Sequence, residues 1–369
     1  MPADWSAIRR EFPSLAGWTY LNTATYGHTP RRAVEAIGRH MARRDETACS
    51  DFLSWFDDAD LLRADLGRLI HCRADDIAFL PTASAALSLL LGGLDWRAGD
   101  RVITLEHEFP NNQYYPALLR ERGVEFVETT WDRFYDEVRA GARLVAISSV
   151  NYTTGFRAPL EEIARELDRR GVLFYVDGTQ SVGALRMDVS AFRPAMMAVD
   201  AYKWMLTPNG AGFVYVDPQT RSWLKPNVIG WRSHHEWRRV ESLHRGAPEF
   251  SQAAEKYEGG MLPFPALYAL HEVTKLMLET GVDAIEARVL ELAARVRSKL
   301  GVETPRHPSP VVSVRIPGME ASEAARRLKQ QRVLVSARHG NLRVSTHFYN
   351  NEADVDRLES VLRSMEAIP

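Results

Sequence analysis

Between residues 70 and 220, short β-branched and aliphatic runs alternate with segments whose apolar positions recur every three or four residues. The runs mark strands and the recurrence marks amphipathic helices. Their alternation marks a mostly parallel sheet covered on both faces. Strands are predicted over 77–80, 101–105, 144–150, 172–176, 195–199 and 212–216, with helices between them such as 84–91, 112–122 and 160–170. Asp100 and Gly171 stand just before strands, where turns belong. After Val216 neither period persists. Residues 218–260, rich in Trp, His, Arg and Gly, read as a long irregular connection, a kind of segment that more often carries function than not. Two long helices follow over 264–278 and 281–300. A β-α-β-β-α pattern closes the chain over 311–316, 321–331, 333–336, 342–346 and 352–365, with Asn350 or Asn351 placed to cap the last helix. The fold class is therefore α/β. A large domain is expected over 20–250 and a smaller C-terminal α/β domain over 251–369, with residues 1–19 packing against the smaller one.

A chain of 369 residues can bury a core of that size. Forty-six Lys and Arg against 48 Asp and Glu leave a formal charge of −2 with no like-charge run, so no nucleic-acid partner is expected. The opening Met1-Pro2-Ala3-Asp4-Trp5 lacks the basic-then-apolar profile of a secretory signal. The longest apolar run, 87–94, is broken by Ser88, Gly92 and Gly93, so no membrane span is expected either. Cys49 and Cys72 form no CxxC and no disulfide framework; a reducing, cytoplasmic setting is the expectation.

One feature of composition bears on chemistry. The chain has six lysines, none among the first 202 residues, and the first is Lys203, in Asp200-Ala201-Tyr202-Lys203-Trp204. Where arginine meets nearly every cationic need, a retained lysine points to a need for its amine, which can lose a proton and attack a carbonyl as a guanidinium cannot. A leftover surface lysine is the plain alternative, and the residues upstream weigh against it.

Ligands of open α/β sheets bind outside the carboxyl ends of the strands. Here those ends read Pro81-Thr82-Ala83-Ser84, Glu106-His107-Glu108-Phe109-Pro110-Asn111, Asn151, Asp177-Gly178-Thr179-Gln180 and Asp200 to Lys203. Each has a structural explanation as a cap, a turn or a satisfied polar group, but they converge on one sheet edge. Together they suit pyridoxal phosphate. Lys203 supplies the Schiff-base amine and Asp177 a carboxylate for the pyridine nitrogen. Ala83 and Ser84 offer helix-start N–H groups, with the Thr82 hydroxyl, for the phosphate. Phe109 offers a flat face for the ring, and Gln180 or Asn151 a donor for its phenolic oxygen.

These segments resemble fold-type I pyridoxal-phosphate enzymes of the aminotransferase class V group, which includes cysteine desulfurases, kynureninases and isopenicillin N epimerase. The likeness runs from Tyr20-Leu21-Asn22-Thr23-Ala24 to Leu342-Arg343-Val344-Ser345 and Tyr349-Asn350, and Asp177-Gly178-Thr179-Gln180 is its most specific part. The resemblance implies a seven-stranded sheet in the large domain and an internal Schiff base on Lys203. It pairs Asp177 with the pyridine nitrogen and brings Gln180 to the phenolic oxygen. Asp200 and Tyr202 join the cofactor site, with Tyr202 at the phosphate, and Arg343 holds the substrate α-carboxylate. It places Ala24, His28, His339 and His347 on segments near the substrate. It also implies a homodimer, with Gly260 near the phosphate, although Gly259-Gly260-Met261 lacks the hydroxyl usual there. Desulfurases carry a histidine before the lysine and a cysteine on the loop before the arginine. Tyr202 and the stretch Ser336-Ala337-Arg338-His339-Gly340 depart from both. Persulfide chemistry on a cysteine of this chain is not expected.

The substrate class implied is an amino acid, with Lys203 as general base at Cα. Transamination is favoured because it needs no further group; a C–S or C–C lyase is the nearest alternative and an epimerase the next. A non-catalytic cofactor-binding relative belongs to a different class, against which Lys203, Asp177 and Arg343 argue jointly. The Trp231-Arg232-Ser233-His234-His235 stretch is expected to line a side-chain pocket for a polar or anionic substrate. No metal is expected: His234, His235 and His244 lack a carboxylate or cysteine at ligand spacing, and His107-Glu108 lacks the rest of a zinc-deaminase pattern. No Gly-x-Ser-x-Gly elbow supports hydrolysis.

Overall fold

A computed structural model describes residues 3–368, so Met1, Pro2 and Pro369 of the predicted terminal segments lie outside it. Strand β1 (Thr19–Tyr20) is set apart from the sheet formed by the next seven. These are β2 (Ile77–Phe79), β3 (Arg101–Leu105), β4 (Glu125–Thr129), β5 (Leu144–Ser148), β6 (Leu173–Asp177), β7 (Met196–Asp200) and β8 (Gly212–Val216). Their order is β2-β8-β7-β6-β5-β3-β4, and β8 alone runs against the others. Six strands therefore end at one edge. Alternation along each strand divides the core into two layers. Ile103, Val145, Ile147, Val176 and Val199 pack on one face; Val102, Leu144, Ala146, Tyr175 and Ala198 pack on the other.

Strand β4 was not predicted. Only Phe126 and Thr129 are buried, and it carries the exposed Glu125 and Glu128 at the sheet's margin, so it lacks the unbroken apolar run of a central strand. The helices Arg31–Glu46 and Phe52–Ile70 also went unpredicted; Phe264–Thr280 packs against both. The 218–260 connection holds a six-residue helix, Pro218–Trp223, and short 3-10 turns but is otherwise irregular, as expected.

Three strands of the C-terminal part, β9 (Val311–Val314), β11 (Ser336–Arg338) and β12 (Asn341–Ser345), form an antiparallel sheet in the order β11-β12-β9, while β10 (Val333–Leu334) pairs in parallel with β1. Asn351 is the residue that caps Glu352–Ser364, reciprocally with Asp354. Leu342, Val344, Leu328 and Leu358 are buried in a core of their own. Among the described residues no helix is long and apolar enough to cross a membrane.

Candidate active site

Strand β7 ends at Asp200, and the turn after it carries Lys203 into the edge where β3, β5 and β6 also end. The lysine is 7% exposed, and its Nζ makes no hydrogen bond or ion pair among the described residues. It lies 5.2 Å from the centre of the Phe109 ring and 5.5 Å from that of Tyr202. Burial holds its pKa below the ordinary lysine value, and Arg343 and Arg338 add to this against the pull of Asp177 and Asp200. The turn is fixed from behind. His347 Nε2 shares a hydrogen bond of 2.9 Å with the Trp204 carbonyl, so it is the protonated ring nitrogen, and burial pushes the His347 pKa down to about 3. Gly27 lies so close that a Cβ there would meet the Lys203 carbonyl oxygen at 1.9 Å.

Asp177 ends β6. Its Oδ1 accepts from the Thr179 N–H at 2.9 Å, and Oδ2 meets no hydrogen-bond donor among the described residues. The Thr179 hydroxyl accepts from the Asp200 N–H at 3.0 Å, which ties the two carboxylate-bearing strand ends together. Gln180 donates from Nε2 to the Ala24 carbonyl at 3.0 Å and accepts at Oε1 from Trp204 Nε1 at 2.7 Å. Phe109 packs edge-on to Tyr152, and the buried Glu108 behind it accepts from the Ser148 N–H, the Ser148 hydroxyl and Asn112. Burial raises Glu108 to a pKa of about 7. Sequence reading gave Glu108 no role; a charged residue beside an apolar strand end was its only signal.

Arg343 lies on β12 and is 1% exposed. It donates from Nε to Ser336 Oγ at 3.1 Å, from Nη1 to the Tyr152 carbonyl at 2.6 Å and from Nη2 to the Thr25 hydroxyl. No carboxylate meets it among the described residues. Burial pushes its pKa down to about 9, with Arg338 contributing. A guanidinium this buried, held only by neutral dipoles, favours an anionic ligand.

Several expectations need correction. The Ala83 N–H is not open to a phosphate: it donates to Asp200 Oδ1 at 2.7 Å, a carboxylate drawn to the positive end of the helix Ala83–Gly93. Thr82 Oγ1 caps that helix by accepting from Ala85, which leaves its O–H and the N–H of the exposed Ser84 as the donors there. Asn151 works chiefly as a turn former, accepting from Thr153 and Thr154 and donating to the His107 carbonyl. Ala24 uses both its polar groups internally, its N–H to Ser345 Oγ and its carbonyl from Gln180. His28 shares a hydrogen bond with Ser14 at 3.2 Å and stacks edge-on to Tyr20, and so faces the N-terminal segment. His339 shares one of 3.0 Å with the Tyr152 hydroxyl.

Gly260 lies on the connection, its carbonyl accepting from Arg232. The 231–235 stretch does not offer a free cation. Arg232 is buried in an ion pair with Glu258 at 3.0 Å, over the rings of Phe56 and Trp237, because Glu258 anchors this loop to β2. His234 and His235 do gain a carboxylate, from Glu236, with ligand atoms within 4.8 Å of one another. The turn supplies what linear spacing did not.

The amine without a partner, the Asp177 carboxylate and the ring of Phe109 match the aldehyde, pyridine nitrogen and ring of pyridoxal phosphate, whereas the phosphate cradle and the donor for the phenolic oxygen depart from expectation, since Asn151 is used in its turn and Gln180 already bonds Ala24 and Trp204. A seven-stranded sheet with such an edge defines a pyridoxal-phosphate-dependent enzyme of fold type I. Comparison with known proteins agrees. The family model for aminotransferase class-V matches residues 55–358. A probable cysteine desulfurase of Methanothermobacter thermautotrophicus is 26% identical over 97% of both chains. The isopenicillin N epimerase of Amycolatopsis lactamdurans is 26% identical over 98% of both. Among solved structures, apo cysteine desulfurase from Thermococcus onnurineus superposes with a TM-score of 0.89 at 20% identity, covering 99% of both chains. The chain belongs to the aminotransferase class-V family.

Proposed function

We propose that the protein is an aminotransferase acting on an α-amino acid. The observation that carries this reading is the pairing of an amine without a partner, Lys203, with a buried arginine that meets no carboxylate, Arg343. Pyridoxal phosphate held by these residues would supply an aldehyde that condenses with amines and an electron-withdrawing ring. Asp177 Oδ2 holds the proton on the pyridine nitrogen. Arg343 takes the substrate carboxylate in its fork and so fixes the direction of the Cα–H bond. Lys203 Nζ, kept neutral more readily by burial, removes the Cα proton and returns one at the position that completes amino transfer. Phe109 covers the ring face and excludes water, and Gln180, Tyr202 and Asp200 orient the site from its floor. We propose further that two chains associate through the loop at Gly259-Gly260, beside the exposed Val228, Ile229 and Met261.

A second reading, a β-eliminating lyase, is favoured by the Tyr152–His339 pair, which puts a proton donor near the place a departing substituent would occupy. A desulfurase using its own cysteine is not supported. Cys72 contacts the opposite edge of the sheet near Asp76 and Arg221, with burial raising its pKa to about 12, and Cys49 bonds back to Arg44 at the helix end.

The test is the visible spectrum of the purified protein titrated with single amino acids. Loss of a yellow band with stoichiometric 2-oxo acid and no released fragment supports transamination. Recovery of the band with release of pyruvate or sulfide replaces it with the lyase reading. No band after addition of pyridoxal phosphate overturns both.

A further inference from the structure

Two guanidiniums face the space near Lys203. The turn joining β11 to β12 is His339-Gly340, with φ of 46° and 78°, the left-handed pair that two-residue hairpins require. Ser336 stands opposite Arg343 in register, and Arg338 lies two residues beyond Ser336, so all three side chains share one face of the hairpin. Arg338 Nη2 donates to the Thr25 hydroxyl oxygen at 3.3 Å, the same oxygen that Arg343 Nη2 reaches. Its Nη1 donates to the Ala337 carbonyl at 2.8 Å. Neither arginine meets a carboxylate among the described residues. Two like charges converging on one hydroxyl repel each other, and partial burial weakens the screening that would relieve them. One α-carboxylate answers Arg343 and leaves Arg338 over.

We propose that Arg338 binds a second anionic group, so that the substrate is a dicarboxylic amino acid of the aspartate or glutamate type. This rests on the reading of Arg343 as the α-carboxylate anchor. Because both arginines reach one oxygen, the two carboxylates they bind must be close together, as on a short chain. The hairpin sets that spacing: its rigid turn holds Arg338 beside the arginine it complements, at the position where a desulfurase-like relative would carry its loop.

The test uses non-reacting probes, succinate and butyrate, which differ by one carboxylate, bound to the holoenzyme and followed by calorimetry. The wild type is expected to bind succinate at least about tenfold tighter, the scale of one charge-assisted hydrogen bond. Arg338→Gln should bring the ratio close to one, whereas Arg343→Gln should weaken both probes. Should the glutamine variant not fold, Arg338→Lys, which keeps the charge and loses the fork, is expected to retain a ratio above one but below that of the wild type. Equal binding of the probes by the wild type, or an unchanged ratio in either Arg338 variant, overturns the second-anion site and leaves the Arg343 reading standing. Butyrate binding untouched by Arg343→Gln overturns the underlying reading instead.

Discussion

Burial acts on the acids and the amine of the site in opposite senses, raising Glu108 and Asp200 and lowering Lys203. Glu108 moves from 4.5 to about 7 and Asp200 from 3.8 to about 6. Between the unfolded and folded values the native state binds more protons than the unfolded chain, so stability falls as pH rises through those windows. For Glu108 the decline runs from about pH 4.5 to about pH 7 and is complete above it. Melting temperature of the apo-protein against pH checks this: Glu108→Gln should flatten the slope in that window, and an unaltered slope would mean that Glu108 is already ionised there. Lys203→Ala is expected to lower turnover by about a hundredfold or more, the scale of general acid–base catalysis, in a protein that still melts normally. Among single residues, Lys203, Asp177, Phe109 and Arg343 could be proposed from the sequence because the proposed chemistry needs particular side chains. Ala83 was misjudged because a free N–H depends on what its neighbours do, and Asp200 reaches it from 117 positions away.

At the level of elements, the strands and helices of the central sheet were readable from period alone, since both faces are buried and register follows the apolar runs. The edge strand β4 was not, because half its side chains meet water. The connection after β8 was read rightly as irregular, but its Arg232 is not free to meet an anionic substrate. Its Arg232 and the buried Arg63 both bind Glu258, whose side chain is fully buried and also accepts from the Phe79 N–H at 2.7 Å. Replacing Glu258 by alanine would leave the buried Arg63 with only Asp60 and the buried Arg232 with only Glu255 as carboxylate partners, a cost of about 3–5 kcal/mol. Urea unfolding of the variant measures it, and a loss below about 1 kcal/mol would show that water reaches the pair.

Across the whole molecule, the N-terminal segment ties the two ends of the chain together. Residues Thr19–Tyr20 pair with Val333–Leu334, and Arg9 donates to Asp354 at 2.7 Å and to the Tyr349 carbonyl at 2.8 Å. Because Asp354 is almost fully buried while Arg9 is only partly so, Arg9→Ala is expected to cost about 1–3 kcal/mol in the same assay, and no loss would mean that Asn350 and Asn351 satisfy Asp354 unaided. If two chains associate through the Gly259-Gly260 loop, sedimentation should return twice the mass of one chain, and Met261→Glu should shift the protein toward a single chain. By itself the sequence determined the α/β class and the strand ends and put forward the candidate reactive side chains, because hydrophobic period and side-chain chemistry are local properties. Tertiary structure alone decided which donors remain open and which cations are already paired. Those outcomes depend on contacts between residues distant in sequence, such as Ala83 with Asp200 and Arg63 with Glu258, and no local pattern carries them.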